Sequence, residues 1–163
     1  MSRIVLVPFI ALLLCGTALP ANWNTSYVDV NAANTLSRAA VDGDLAKVQD
    51  LVKKGVDVNS VDKWGWTPLL WAAYYGQPKV VDFLLAQGAD PNRLTKLEYG
   101  YFKPGTSALI LAAYYDHAGI VKSLLEAKAD PAIKDYKGMT ALEYAQEFQF
   151  AGCVQVLKPK QSD

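Results

Sequence analysis

Thr67-Pro68-Leu69-Leu70-Trp71-Ala72-Ala73-Tyr74-Tyr75 returns 40 residues later as Ser107-Ala108-Leu109-Ile110-Leu111-Ala112-Ala113-Tyr114-Tyr115, and 33 residues after that as Thr140-Ala141-Leu142-Glu143-Tyr144-Ala145. Counting 33 back from Thr67 finds Asn34-Thr35-Leu36-Ser37-Arg38-Ala39-Ala40. A second block, Gly55-Val56-Asp57-Val58-Asn59, recurs after 33 residues as Gly88-Ala89-Asp90-Pro91-Asn92. The period is therefore 33, there are four copies, and seven extra residues lie between Asn92 and Gly105. Self-similarity at this spacing is the mark of a stacked-repeat architecture.

Each copy reads as a pair of helices. Asn34, Thr67, Ser107 and Thr140 stand where a side-chain oxygen can cap the free N–H groups of a first helix, and Pro68 suits the first helical position, where a missing N–H costs nothing. Asp44 and Asp116 are placed to cap second helices, and Pro78 again fits a first turn. Gly55 and Gly88 fit the left-handed residue that stops a helix. Lys128 stands at that place in the third copy, which predicts a strain of about 1 kcal/mol. Apolar residues at helical spacing supply the core: Leu36, Ala39 and Ala40, then Val48, Leu51 and Val52, repeated as Leu69, Ala72, Ala73, Val81, Leu84 and Leu85. Val121, Leu124 and Leu125 continue the seam, and Val154 and Leu157 end it. One helix pair cannot bury its own apolar face, so stability comes from stacking on neighbours. Gln146, Gln149, Gln155 and Lys158 give the fourth copy the polarity of a cap.

The chain resembles the ankyrin-repeat family over residues 29–158. Asp62-Lys63-Trp64-Gly65-Trp66-Thr67-Pro68-Leu69-Leu70-Trp71-Ala72-Ala73 is the most specific stretch; it follows the family's T-P-L-H-x-A signature except that Leu70 stands in place of histidine. The resemblance implies an all-α solenoid of four helix-turn-helix repeats, at about 29–61, 62–94, 95–134 and 135–158. It also implies β-hairpin loops, one of them enlarged, projecting from a curved stack with a concave recognition face. A short tail, 159–163, follows.

Composition agrees with a globular domain: of 163 residues, 52% are hydrophobic and 20% charged. Sixteen basic and sixteen acidic side chains cancel, so no global field draws nucleic acid or an anionic membrane. The only cysteines are Cys15 and Cys153, which leaves no disulfide framework. Residues 1–18 read as a secretory signal peptide: Arg3 is a short positive region, Ile4 to Leu14 an apolar run, and Gly16 and Ala18 supply a cleavage site, with Ala21 second. Lipidation at Cys15 and a membrane anchor are the weaker alternatives; the apolar run is about half the length that a spanning helix needs. Residues 19–28 are then a linker, and the mature chain is expected in the periplasm of a bacterium or secreted otherwise. Asn24-Thr25-Ser26 matches a glycosylation sequon.

Chemistry is sparse. His117 is the only histidine, so no histidine-based triad can form, and its place points to a helix-terminus role. Cys153 aligns with Ile120 and reads as a buried small hydrophobe. Asp57, Asp90 and Asp130 recur with the repeat, as turn and cap residues do. No catalytic residue, metal or cofactor is expected, and the chain is not read as an enzyme.

The rings call for an explanation. The resemblance puts recognition at hairpin tips and at the last turn of first helices, and those positions carry Lys63, Trp64, Trp66, Tyr74 and Tyr75. The next repeat offers Tyr114 and Tyr115, with Tyr99, Tyr101 and Phe102 in the enlarged hairpin beside Lys96 and Lys103; the fourth adds Tyr136, Lys137, Met139 and Phe148. Tips and helix ends are normally polar, so this points to a partner surface centred on repeats two to four, with lysines suiting an acidic rim. Rings packing on one another to stiffen the hairpins is the competing reading. The leading function is an exported monomeric module for a protein partner, as an inhibitor or immunity protein for a secreted toxin or an envelope stress-defence protein. A secreted effector binding a host protein and a carbohydrate or ligand groove are the alternatives.

Overall fold

The computed structural model describes residues 30–100 and 102–158. The expected signal peptide and linker, the tail and Tyr101 lie outside these residues. Among the described residues eight helices form four pairs: α1 Val30–Asp42 with α2 Leu45–Lys53, α3 Pro68–Tyr74 with α4 Pro78–Ala86, α5 Ala108–Tyr114 with α6 Ala118–Glu126, and α7 Ala141–Glu147 with α8 Ala151–Leu157. The first helices pack side by side in the order α1, α3, α5, α7, and the second helices in the order α2, α4, α6, α8. Each pair thus packs mainly on its neighbours along the row. Every residue of α5 but its last is buried, and its alanines permit the close approach on both sides.

Caps fix where the helices begin. Thr67 accepts from Leu70 N and Ser107 from Ile110 N, both at 3.3 Å, and Thr140 with Glu143 forms a reciprocal capping box. Asp44 caps α2 through Lys47 N. Two expected caps differ. Asn34 lies inside α1, which starts earlier than the repeat pattern implies, and its carbonyl oxygen instead accepts from Lys63 N at 3.0 Å. Asp116 is one residue short of the cap position: it is the counterpart of Gly43 and Gly76, adopts φ 57°, and leaves His117 at the N-cap of α6.

His117 has a packing role at that turn. Its ring lies so close over Gly76 that a Cβ there would stand 2.6 Å from Cε1, and Gly76 also holds φ 68°. Lys128 adopts φ 64°, as its alignment with Gly55 and Gly88 predicts. Lys128→Gly is therefore expected to raise stability by about 0.5–1 kcal/mol in urea unfolding followed by circular dichroism. An unchanged midpoint would show that the turn carries no strain.

Repeats are also stitched at the far end of each hairpin. Asn59 donates to Gly88 O and accepts from Asp90 N, and Asn92 does the same with Lys128 O and Asp130 N. Asp57, Asp90 and Asp130 each accept from the amide two residues on, the turn role expected of them. The fingers themselves are tight turns. Among the described residues no strand forms, and two isolated antiparallel bridges, Leu94 with Ser107 and Tyr99 with Phe102, hold the enlarged finger.

Candidate functional site

The base of each finger closes by one recurring set of bonds. In the second repeat Asp62 N donates to Trp66 O, Gly65 N donates to Asp62 O, and Asp62 Oδ1 accepts from the amides of Trp64 and Trp66. Asp62 Oδ2 then accepts from the indole N–H of Trp71 at 2.6 Å. The fourth repeat copies this with Asp135, whose oxygens take the amides of Lys137 and Met139 and the hydroxyl of Tyr144. Both carboxylates are buried. In the third repeat Thr95 takes the same place: its hydroxyl accepts from Thr106 N, and its backbone pairs with Thr106 and Gly105. The seven-residue insertion therefore springs from between Thr95 and Gly105, a closed base that leaves the helices undisturbed.

That insertion folds back on the concave side. Leu97 O accepts from Trp66 Nε1 at 3.1 Å, and Tyr99 sets its ring 5.6 Å from Trp66 and 4.7 Å from Trp71. Phe102 enters beneath Tyr74 and Tyr114, at 5.8 and 5.0 Å. Trp66 and Phe102 are consequently 0% exposed. They were expected on a partner surface; they are instead the layer under it, because the inserted finger seals one and buries the other within itself. Side chains with no exposed area make no direct contact with a partner.

The remaining rings divide by depth. Tyr74, Tyr99 and Tyr114 are half-buried, whereas Trp64, Tyr75, Tyr115, Tyr136 and Phe148 are 38–47% exposed and Lys63 is exposed. Tyr75, Tyr115 and Phe148 are the C-caps of α3, α5 and α7 and line up along the row. Each stands on another ring: Tyr75 stacks at 6.1 Å on Trp71, Tyr115 packs at 5.0 Å on Tyr74, and Phe148 lies 5.1 Å from Tyr114. Stacked and edge-to-face contacts of this kind hold rings at fixed angles and reduce the entropy that a partner would otherwise have to remove. The two sequence readings, stiffened fingers and a ring-bearing face, thus describe different depths of one structure.

Hydrogen bonds lock the hydroxyls too. Tyr75 bonds Tyr99, and this with burial pushes its phenol up to about 12. Burial first, then a 3.3 Å bond to Tyr74, raises Tyr115; burial and then Asp135 raise Tyr144. These phenols stay neutral donors over the physiological range. Cys153, fully buried, is pushed up to about 12 by burial and by its contact with Asp116, so its thiolate form is suppressed.

Between α1 and the second finger the concave face opens into a recess of about 210 Å³. Trp64, Trp71, Tyr75 and Tyr99 form its ring walls, and Asn34, Ser37, Arg38 and Lys63 its polar side. Sequence reasoning passed over it, since the first repeat has no rings at the counterparts of Tyr74 and Tyr75. The two buried carboxylates were also missed, although a signal was present: Asp62 and Asp135 each precede a first-helix aromatic, Trp71 and Tyr144, by nine residues.

The geometry defines a helical repeat scaffold that presents a supported row of rings at the C-terminal ends of its first helices. Models of ankyrin repeats match residues 36–85, as a many-copy array, and 95–163, as a three-copy array. The chain belongs to the ankyrin-repeat family. It is 45% identical over 64 residues to mouse 2-5A-dependent ribonuclease, covering 39% of this chain and 9% of that protein. It is 42% identical over 66 residues to mouse ankyrin repeat family A protein 2, covering 39% and 21%, and 49% identical over 61 residues to human ankyrin repeat domain-containing protein 40, covering 37% and 17%. The likeness therefore spans a small part of each relative and concerns the repeats alone. Repeats of this family serve protein–protein interaction. No described helix is long and apolar enough to cross a membrane.

Proposed function

We propose that this chain is an exported binding module that holds one protein partner on its concave face, with Tyr75, Tyr115, Trp64, Tyr136 and Phe148 as contact residues. The observation that carries this is the row of three C-cap rings, each about two-fifths exposed and each propped on a buried or half-buried ring. Large rings held in place and left uncovered are what binding hot spots are made of. The apolar run before Gly16 supports export, and an inhibitory or immunity role suits a stiff module whose work is stoichiometric capture.

The test is a pull-down from the producing organism followed by titration of the captured protein. Tyr115→Ala with Phe148→Ala is expected to weaken that complex by at least about 2 kcal/mol, roughly thirtyfold, at a cost of about 1–2 kcal/mol in folding stability that leaves the chain folded at the temperature of the titration. Equal affinity in wild type and double variant would remove the ring row from recognition. Recovery of the full-length chain in the cytoplasm with residues 1–18 still attached would remove export.

A further inference from the structure

We propose that the recess between α1 and the second finger is the anchor point of the concave face, and that it takes an acidic peptide segment. One large apolar side chain sits between the rings, and flanking carboxylates meet Arg38 and Lys63. The inference rests on the binding reading above and extends it into the first repeat, where no ring row exists.

Shape and chemistry both point to this occupant. A recess of about 210 Å³ walled by Trp64, Trp71, Tyr75 and Tyr99 is large enough for a leucine or phenylalanine side chain and offers it apolar faces. Four rings could also form a box for a cation. The charges decide against that: Arg38 and Lys63 both line the recess, and Lys63 Nζ lies 4.1 Å from the centroid of Trp64. A second cation would meet both. The one carboxylate in the lining, Asp62, does not offset them at the surface, because it is buried and its oxygens already accept from three N–H groups. Arg38 meets Asp42 through Nε alone, in an exposed i,i+4 pair, so its terminal nitrogens remain outside that pair. Ser37 adds a further polar group: it is 3% exposed and its hydroxyl has no hydrogen-bond partner. Donors thus outnumber open acceptors around an apolar hole, which is the complement of an apolar residue with carboxylates beside it.

The probe is the peptide acetyl-Glu-Glu-Phe-Glu-Glu-amide, titrated into isotope-labelled protein, with its glutamine and lysine counterparts as controls. Saturable shifts are expected at the amides of Arg38, Lys63 and Trp64. The acidic peptide should bind at least about fivefold more tightly than the glutamine peptide, and raising NaCl from about 50 to about 300 mM should remove most of that advantage. Arg38→Gln with Lys63→Gln, two exposed positions, should abolish the preference while leaving the melting curve unchanged. Equal or better binding of the lysine peptide, shifts confined to other surfaces, or no shift at all would overturn the proposal. The two readings separate cleanly. A silent recess with a partner still lost in the Tyr115 and Phe148 variant sinks the anchor and keeps the ring row; an occupied recess with that variant unaffected does the reverse.

Discussion

Trp66→Ala is expected to cost about 3–5 kcal/mol of folding stability, a large part of the total for a domain of this size. Trp66 is fully buried, lies 4.4 Å from Trp71 and 5.6 Å from Tyr99, and donates its indole N–H to Leu97 O. Truncation leaves a void under the inserted finger and an unpaired carbonyl that had tied it down. The indole is thus the nail through two consecutive repeats. Urea unfolding read by far-ultraviolet circular dichroism measures the loss, and Trp64→Ala is the control. Trp64 is 40% exposed, so its removal is expected to cost less than about 1 kcal/mol. A loss in Trp66→Ala no larger than in Trp64→Ala would show that the insertion does not depend on the ring beneath it.

The second large effect is expected at Asp62. Asp62→Ala strands the amides of Trp64 and Trp66 and the indole N–H of Trp71, and a buried donor left unpaired costs about 1–3 kcal/mol. Trp64 is partly exposed and water can reach its amide, so the expected total is about 3 kcal/mol rather than the sum. Asp62→Asn keeps an oxygen for the two amides but turns an N–H toward Trp71, and should lose about half as much. Trp71→Phe removes the stranded indole donor. In a double-mutant cycle Asp62→Ala and Trp71→Phe should therefore be strongly non-additive, by about 1 kcal/mol or more. Additive losses would mean that the 2.6 Å contact contributes nothing specific.

Much of this scaffold was legible before any coordinates. The 33-residue period placed the helix pairs, because Thr67, Ser107 and Thr140 cap in the same way and Lys128 takes the same left-handed turn as Gly55 and Gly88. Local chemistry governs those positions, and sequence carries local chemistry. The errors came where distant segments decide. Asn34 shares the cap register, yet α1 extends past it toward the N-terminus, and the side chain finds Lys63 instead. Asp116 looks like a cap by residue type, but the repeat count makes it a turn residue. The depth of the rings was the least readable feature. Nothing in spacing tells that Leu97 and Tyr99 double back over Trp66, or that Phe102 buries itself among Tyr74 and Tyr114 while Tyr115 stays outside. Residue type does not sort them, since tryptophans and tyrosines stand at both depths; the path of the inserted loop separates support from surface.

The asparagine stitches end early. Asn59 and Asn92 each reach forward to the next repeat, whereas their counterpart in the third repeat is Ala132, which has no amide to offer. The α7–α8 pair therefore joins the row without that stitch, through helix packing, the rings of Tyr144 and Phe148 against Tyr114, and the contact of Cys153 with Asp116. Among the described helices it has a neighbour on one side only, and local opening in stacked arrays begins at such ends. Phe148 sits on this terminal pair, so a protein that settles there also quiets the last two helices, and some of its grip is spent on, and recorded as, that gain in order.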